Sequence, residues 1–180
     1  MADEKDKKEP WLNYLALSTV ILAVCATLST FKGGGYSTRS VMSQSQASDQ
    51  WAFFQAKSVK LNLYELQKEK LQMELAGHSM PKAETEAYSK AIEGYQHKIE
   101  KYEKEKEDIK LAAKQLEETR DEAQKHSKTF GIAVIFLQIA ILLSSIAGLL
   151  KKKPVWVAGL AIGALGLVYF ADGFLMFLNK

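Results

Sequence analysis

The chain has 180 residues, of which 47% are hydrophobic, and 24 Lys or Arg against 21 Asp or Glu leave a net charge of +3. Charge is nearly absent from residues 11–31, 129–150 and 154–178 and is dense from 57 to 128. This division excludes an ordinary soluble domain and indicates a membrane protein with one extramembrane region. Because cations and anions nearly balance over 82–128, a nucleic-acid-binding surface is also excluded.

The first apolar segment covers residues 11–31 and follows a mixed-charge tail, 1–10, that we expect to be disordered. About 20 apolar residues cross a hydrocarbon core, so the segment predicts a transmembrane helix. A cleaved signal peptide is the alternative. The length of the run and the poor cleavage sequence Phe-Lys-Gly at 31–33 favour a retained span. Cys25, the only cysteine, is expected to pack as a small hydrophobic side chain.

A Gly-, Ser- and Gln-rich stretch over 32–47 predicts a flexible linker or a frayed helix start, because three consecutive glycines at 33–35 favour a helix break. Ser48 and Asp49 suit the start of a second helix over 48–76. Gly77 and Pro81 then suit a turn before a third helix over 82–128. Residues 48–128 are therefore predicted to form a helical hairpin.

The helix over 48–76 carries two apolar lines. The first is Ala47, Trp51, Phe54, Ser58, Leu61, Tyr64, Leu71 and Leu75, and the second is Ala52, Ala56, Val59, Leu63, Leu66 and Met73. Two lines make a wider apolar face than one partner helix needs. The sequence therefore predicts that hairpins associate with one another in a homo-oligomer.

The following helix carries one seam with alternating steps of four and three residues, as in an antiparallel coiled coil. Its members are Tyr88, Ile92, Tyr95, Ile99, Tyr102, Lys106, Ile109, Ala113, Leu116, Arg120, Ala123, Ser127 and Phe130. The polar members Lys106, Arg120 and Ser127 either extend out of a partly open seam, or they specify register or face a cavity in an oligomer.

Counting outward from the turn places Trp51 and Phe54 near Lys106 and Ile109, which predicts a cation–π contact on Lys106. The residues predicted to mediate helix–helix recognition between associating hairpins are Trp51, Phe53, Phe54, Tyr95, Ile99, Tyr102, Lys106 and Ile109.

Residues 129–150 and 155–178 predict a second and a third span, joined by a basic loop at 151–153. The N-terminal tail and this loop carry three lysines each. The positive-inside rule places both in the cytoplasm, with the hairpin and the C-terminus in the periplasm.

Four residues within these spans are candidates for packing or for a pore. Gly159 and Gly163 indicate close helix packing, either in a dimer or against the second span of the same chain. Asp172 and Gln138 are polar groups in apolar segments. They either line an ion or proton path, or Asp172 lies at the outer interface, solvated or bonded to Gln138 or Tyr169.

The sequence contains no recognisable catalytic or cofactor pattern. Its three histidines, His78, His97 and His126, have no metal-site spacing, and no phosphate loop or nucleophile motif occurs. We therefore expect no enzyme activity, no metal and no cofactor.

Residues 49–60 read Asp-Gln-Trp-Ala-Phe-Phe-Gln-Ala-Lys-Ser-Val-Lys. This run resembles the signature of a bacterial membrane-protein family known only as a domain of unknown function, in which one span precedes a helical hairpin and a span pair. The resemblance implies a bacterial inner-membrane protein and transfers no site residues.

The expected fold is all-α, with three transmembrane helices and an antiparallel coiled-coil hairpin between the first two. The expected function is an oligomeric inner-membrane scaffold or interaction protein, with the lipid bilayer, other copies and a further protein as partners. The alternative is a channel or transporter subunit in which Asp172 and Gln138 face a pore.

Overall fold

The computed structural model describes residues 10–178, and every regular element in that range is helical. Helix α1 covers Pro10–Gly77, α2 covers Lys82–Leu150 and α3 covers Lys153–Leu175. Each helix contains a window long and apolar enough to cross a membrane. The predicted all-α fold with three candidate spans is therefore confirmed at this level. The predicted disordered tail, apart from Pro10, lies outside the described residues.

The predicted linker over 32–47 is wrong, because α1 continues through it without interruption. Gly33 serves close packing and makes no turn. A Cβ atom at this position would lie 3.1 Å from Cβ of Phe130, and Ser127 Oγ donates a hydrogen bond to the Gly33 carbonyl oxygen at 3.1 Å. Glycine propensity disfavours a helix by only about 1 kcal/mol per residue, which tertiary packing can override.

The chain divides into two compact units that share α1 and α2. The terminal unit comprises Met1–Val41 and Arg120–Lys180, and the central unit comprises Met42–Thr119.

The terminal unit is a bundle of the first part of α1, the last part of α2, and α3. Its core contains Leu22, Ala26, Leu137 and Ala140, with Cys25 packed against them as the sequence predicted. Large apolar side chains elsewhere on the bundle surface are exposed, as expected for helices that face lipid.

The central unit consists of two antiparallel helical segments joined by the turn at residues 78–81. The Pro81 carbonyl oxygen accepts backbone hydrogen bonds from Glu84 and Thr85 at the start of α2. In this unit, every predicted seam position from Tyr88 to Leu116 is partly or fully buried. The period of the sequence therefore identified the face of α2 that packs.

Candidate functional site

An aromatic cluster in the central unit joins the two antiparallel segments. The Trp51 indole Nε1–H donates a hydrogen bond to Oε1 of Glu117 at 2.9 Å, and the Trp51 ring meets Phe54 edge-on at 5.5 Å. Nζ of Lys106 lies 5.0 Å from the centre of the Phe54 ring. The predicted cation–π contact on Lys106 is confirmed, whereas the indole of Trp51 reaches past Ile109 to Glu117.

A tyrosine cluster lies farther toward the turn. The Tyr64 ring lies 5.9 Å from that of Tyr95 and 5.6 Å from that of Tyr102. Nζ of Lys98 lies 5.0 Å from the Tyr64 ring and 5.6 Å from the Tyr95 ring. Ammonium groups are attracted to the negative faces of aromatic rings, so the long cationic side chains contribute to packing here.

One ion pair connects the two segments beside this cluster. Lys57 Nζ donates a hydrogen bond to Glu105 Oε2 at 2.5 Å and also lies 4.7 Å from the Tyr102 ring. The hydrogen bond raises the pKa of Lys57 and lowers the pKa of Glu105, in each case against the opposing effect of desolvation. Sequence reasoning did not identify this pair.

Seven of the eight residues predicted to mediate recognition between hairpins are used within the chain or lie partly buried in it. They are Trp51, Phe54, Tyr95, Ile99, Tyr102, Lys106 and Ile109. Phe53 is the exception, with 62% of its surface exposed. It borders a groove of about 410 Å³ that is also lined by Lys57, Glu105 and Ile109.

The second apolar line of α1 remains uncovered in the central unit. Its large members Val59, Leu63, Leu66 and Met73 are 54–62% exposed. The first line faces inward, with Leu61 buried and Trp51, Phe54 and Tyr64 partly buried. The structure thus shows which of the two lines the intramolecular packing uses, a choice that periodicity alone left open.

The glycines of α3 pack within the chain. A Cβ atom on Gly159 would lie 3.2 Å from the Ala140 carbonyl oxygen, and one on Gly163 would lie 3.1 Å from Leu22. Of the two readings of the Gly159 and Gly163 pattern, the structure shows close packing against helices of the same chain.

Asp172 is fully buried, so the expected solvated carboxylate is not observed. Its Oδ1 accepts a hydrogen bond from the backbone N–H of Leu178 at 2.7 Å, and its carbonyl oxygen accepts one from Met176. Met176 adopts a left-handed conformation with φ 49°. The side chain and backbone of Asp172 thus close the C-terminus of α3.

Gln138 is exposed on α2, in contrast to buried Asp172. His126, which lay outside every sequence prediction of a site, packs in the terminal unit: Nδ1 lies 2.8 Å from the Gly173 carbonyl oxygen, and the ring stacks on Tyr36 at 4.5 Å. Among residues 10–178, no group of three His, Cys, Asp or Glu side chains is placed to hold a metal ion.

Comparison with known proteins identifies a family and nothing closer. No curated protein and no solved structure matches the chain. A scan of protein families matches residues 11–176 to the domain of unknown function DUF4337. The match covers all three helices in part or in full. The chain therefore belongs to the DUF4337 family of unknown function.

Proposed function

We propose that this protein is a non-catalytic scaffold of the bacterial inner membrane that assembles through its central unit. In this proposal the central unit is an antiparallel coiled-coil hairpin in the periplasm, and the N-terminus and the loop at 151–153 are cytoplasmic. Three candidate spans support the membrane location. The resemblance described above supports the bacterial inner membrane, and the lysine distribution supports the orientation.

The observation that carries the proposal is the exposed apolar line of α1, formed by Val59, Leu63, Leu66 and Met73. These side chains belong to a highly charged region, so lipid does not account for their exposure. Full burial of a Val, Leu or Met side chain yields about 1.5–3 kcal/mol, and contiguous exposed apolar surface marks interaction sites. Steps of four, three and seven residues along this line suit the packing of another helix.

A second copy of the chain fits this line because all copies in one membrane present it at the same height and in the same direction. Two such lines can meet around a two-fold axis, as in most homo-oligomers. Lys70, which occupies the seam position between Leu66 and Met73, is exposed on the same line. A lysine at a single seam position limits the number of helices that can pack there.

The channel alternative has weaker support. The Asp172 carboxylate binds the backbone N–H of Leu178, and Gln138 is exposed while Asp172 is buried. A pore lining requires both groups to face one water-filled path.

The decisive experiment combines Leu63→Glu with Leu66→Glu in the full chain and measures its mass in lipid nanodiscs. We expect the wild type to be an oligomer and the double variant to be a smaller species with unchanged helix content. Leu111→Glu is the matched control, because Leu111 is 52% exposed in the same unit but lies on α2. A monomeric wild type, or equal dissociation by the control, would contradict the proposal.

The orientation is tested separately with Ser79→Cys in a Cys25→Ser background. Ser79 is exposed in the turn of the central unit. A membrane-impermeant thiol reagent should label it in intact spheroplasts. Labelling that requires lysis would place the central unit in the cytoplasm.

A further inference from the structure

Gln138 places a polar amide side chain in the middle of an apolar segment. It lies about nine residues into the apolar segment that begins at residue 129, which is roughly 14 Å along the helix and near the middle of the span. Its side chain is exposed and makes no hydrogen bond to any residue within 10–178. A primary amide has two donor hydrogens and one acceptor oxygen, and hydrocarbon satisfies none of them.

Three exposed hydroxyl groups of the terminal unit behave differently. The hydroxyl groups of Thr27, Thr30 and Ser145 each donate to the carbonyl oxygen four residues earlier, at 2.9–3.0 Å. A helix can satisfy a hydroxyl in this way at little cost. The Gln138 amide stands out because its own helix leaves it without such a bond.

The face of α2 around Gln138 is open to another helix. Gly131 and Ser145 lie seven residues to either side of Gln138, and seven residues make nearly two helical turns, so the three positions share one face. A Cβ atom on Gly131 would meet nothing within 4 Å, so packing within the chain does not account for this glycine. Small residues on one face permit close approach of helix backbones in a membrane.

The same face continues into a groove between α1 and α2 within the terminal unit. It has a volume of about 350 Å³ and is lined mainly by small side chains, among them Thr30, Gly34, Ser37, Ser127 and Gly131. A helix packed on this face would meet small side chains near Gly131 and the exposed side chains of Ile135 and Leu142 beside Gln138.

We propose that the Gln138 face of α2 binds the same face of a second copy, with the two Gln138 amides hydrogen-bonded to each other in the membrane. An amide is both donor and acceptor, so it is complementary to itself across a two-fold axis. Lipid tails offer no such partner. The inference rests on the proposed self-association and adds a second contact, located within the bilayer.

The test uses the full chain in nanodiscs and compares Gln138→Leu with Ser145→Ala. Loss of an interhelical hydrogen bond in a membrane should weaken dimerisation by about tenfold. We expect this increase in the dissociation constant for Gln138→Leu, with unchanged helix content, and little change for Ser145→Ala, since that hydroxyl is already bonded to the Ile141 carbonyl oxygen. An unchanged or lower dissociation constant for Gln138→Leu would overturn the inference.

Oxidative cross-linking in native membranes provides an independent measurement. In a Cys25→Ser background, Gln138→Cys should form disulfide-linked dimers more efficiently than Ile139→Cys, which is 43% exposed on the adjacent face. Equal yields at both positions, or a cross-link from position 138 to a different protein, would contradict pairing of two copies.

The two proposals fail in different ways. If Leu63→Glu with Leu66→Glu dissociates the assembly and Gln138→Leu does not, the membrane contact is wrong and the scaffold proposal stands. If only Gln138→Leu dissociates it, the assembly is held in the bilayer and the central-unit contact is wrong.

Discussion

The helices of the terminal unit and those of the central unit pack through different kinds of side chain. In the terminal unit, Ala133, Ala140 and Ala147 are fully buried, and Gly159, Gly163 and Gly166 bring helices into close contact. The central unit instead packs through aromatic rings, with the ammonium groups of lysines such as Lys57 and Lys98 placed over them.

This difference matches what is expected of helix packing in lipid for the terminal unit and in water for the central unit. In a bilayer, apolar side chains gain little by leaving lipid, so helices associate through close backbone approach and dispersion forces. In water, burial of apolar surface drives packing, and long amphipathic side chains can cover apolar surface while their charges stay solvated. The two units should therefore respond differently to substitution.

The largest effect is expected at a glycine of the terminal unit. In Gly166→Ala the new Cβ would lie 2.8 Å from Cγ of Leu137 and 3.0 Å from its backbone nitrogen. Because backbone must move, we expect a loss of about 1–3 kcal/mol and a lower thermal midpoint in detergent. Gly35→Ala is the control, since a Cβ there meets nothing within 4 Å, and it should match or exceed the wild type. Equal losses in both variants would show that close approach is not what holds this unit.

An intermediate effect is expected for the indole of the central unit. Trp51→Phe removes the hydrogen bond to Glu117 and should cost about 1 kcal/mol in the free energy of unfolding. Glu117→Ala should cost a similar amount, and the double variant should lose less than the sum of the two. Strict additivity in chemical unfolding would mean that the hydrogen bond contributes nothing to stability.

The smallest effect is a pH dependence of the Lys57–Glu105 pair. The pKa of Glu105 is lowered by the hydrogen bond from Lys57, so its contribution is present above the ordinary glutamate pKa of about 4.3 and is lost as pH falls through the lowered folded value. The difference in thermal midpoint between wild type and Glu105→Gln should therefore be largest near neutral pH and shrink below about pH 4.

Glu107→Gln is the matched control for this titration, since Glu107 pairs with Lys110 on the exposed surface of the same helix. Its difference from the wild type should be small throughout, because exposed ion pairs contribute little. A wild-type advantage over Glu105→Gln that persists unchanged into acid would argue against the ion pair.

Much of the architecture was predictable because it depends on local period and composition. Apolar runs of about 20 residues identified the three candidate spans, and the four-three period from Tyr88 to Leu116 identified the buried face of α2 in the central unit. The contact between Lys106 and Phe54 was also predictable, since the position of the turn determines which residues of the two segments are opposite each other.

The local sequence by itself determined that this chain is helical, contains candidate spans and is charged in its middle. Each of these properties depends on residues that lie close together in the chain. Tertiary structure alone decided that Gly33 serves close packing within a continuous helix, that the Asp172 carboxylate binds Leu178, and that the line through Leu63 stays exposed. Each of these outcomes depends on which surfaces meet, and helical periodicity describes a surface without specifying its partner.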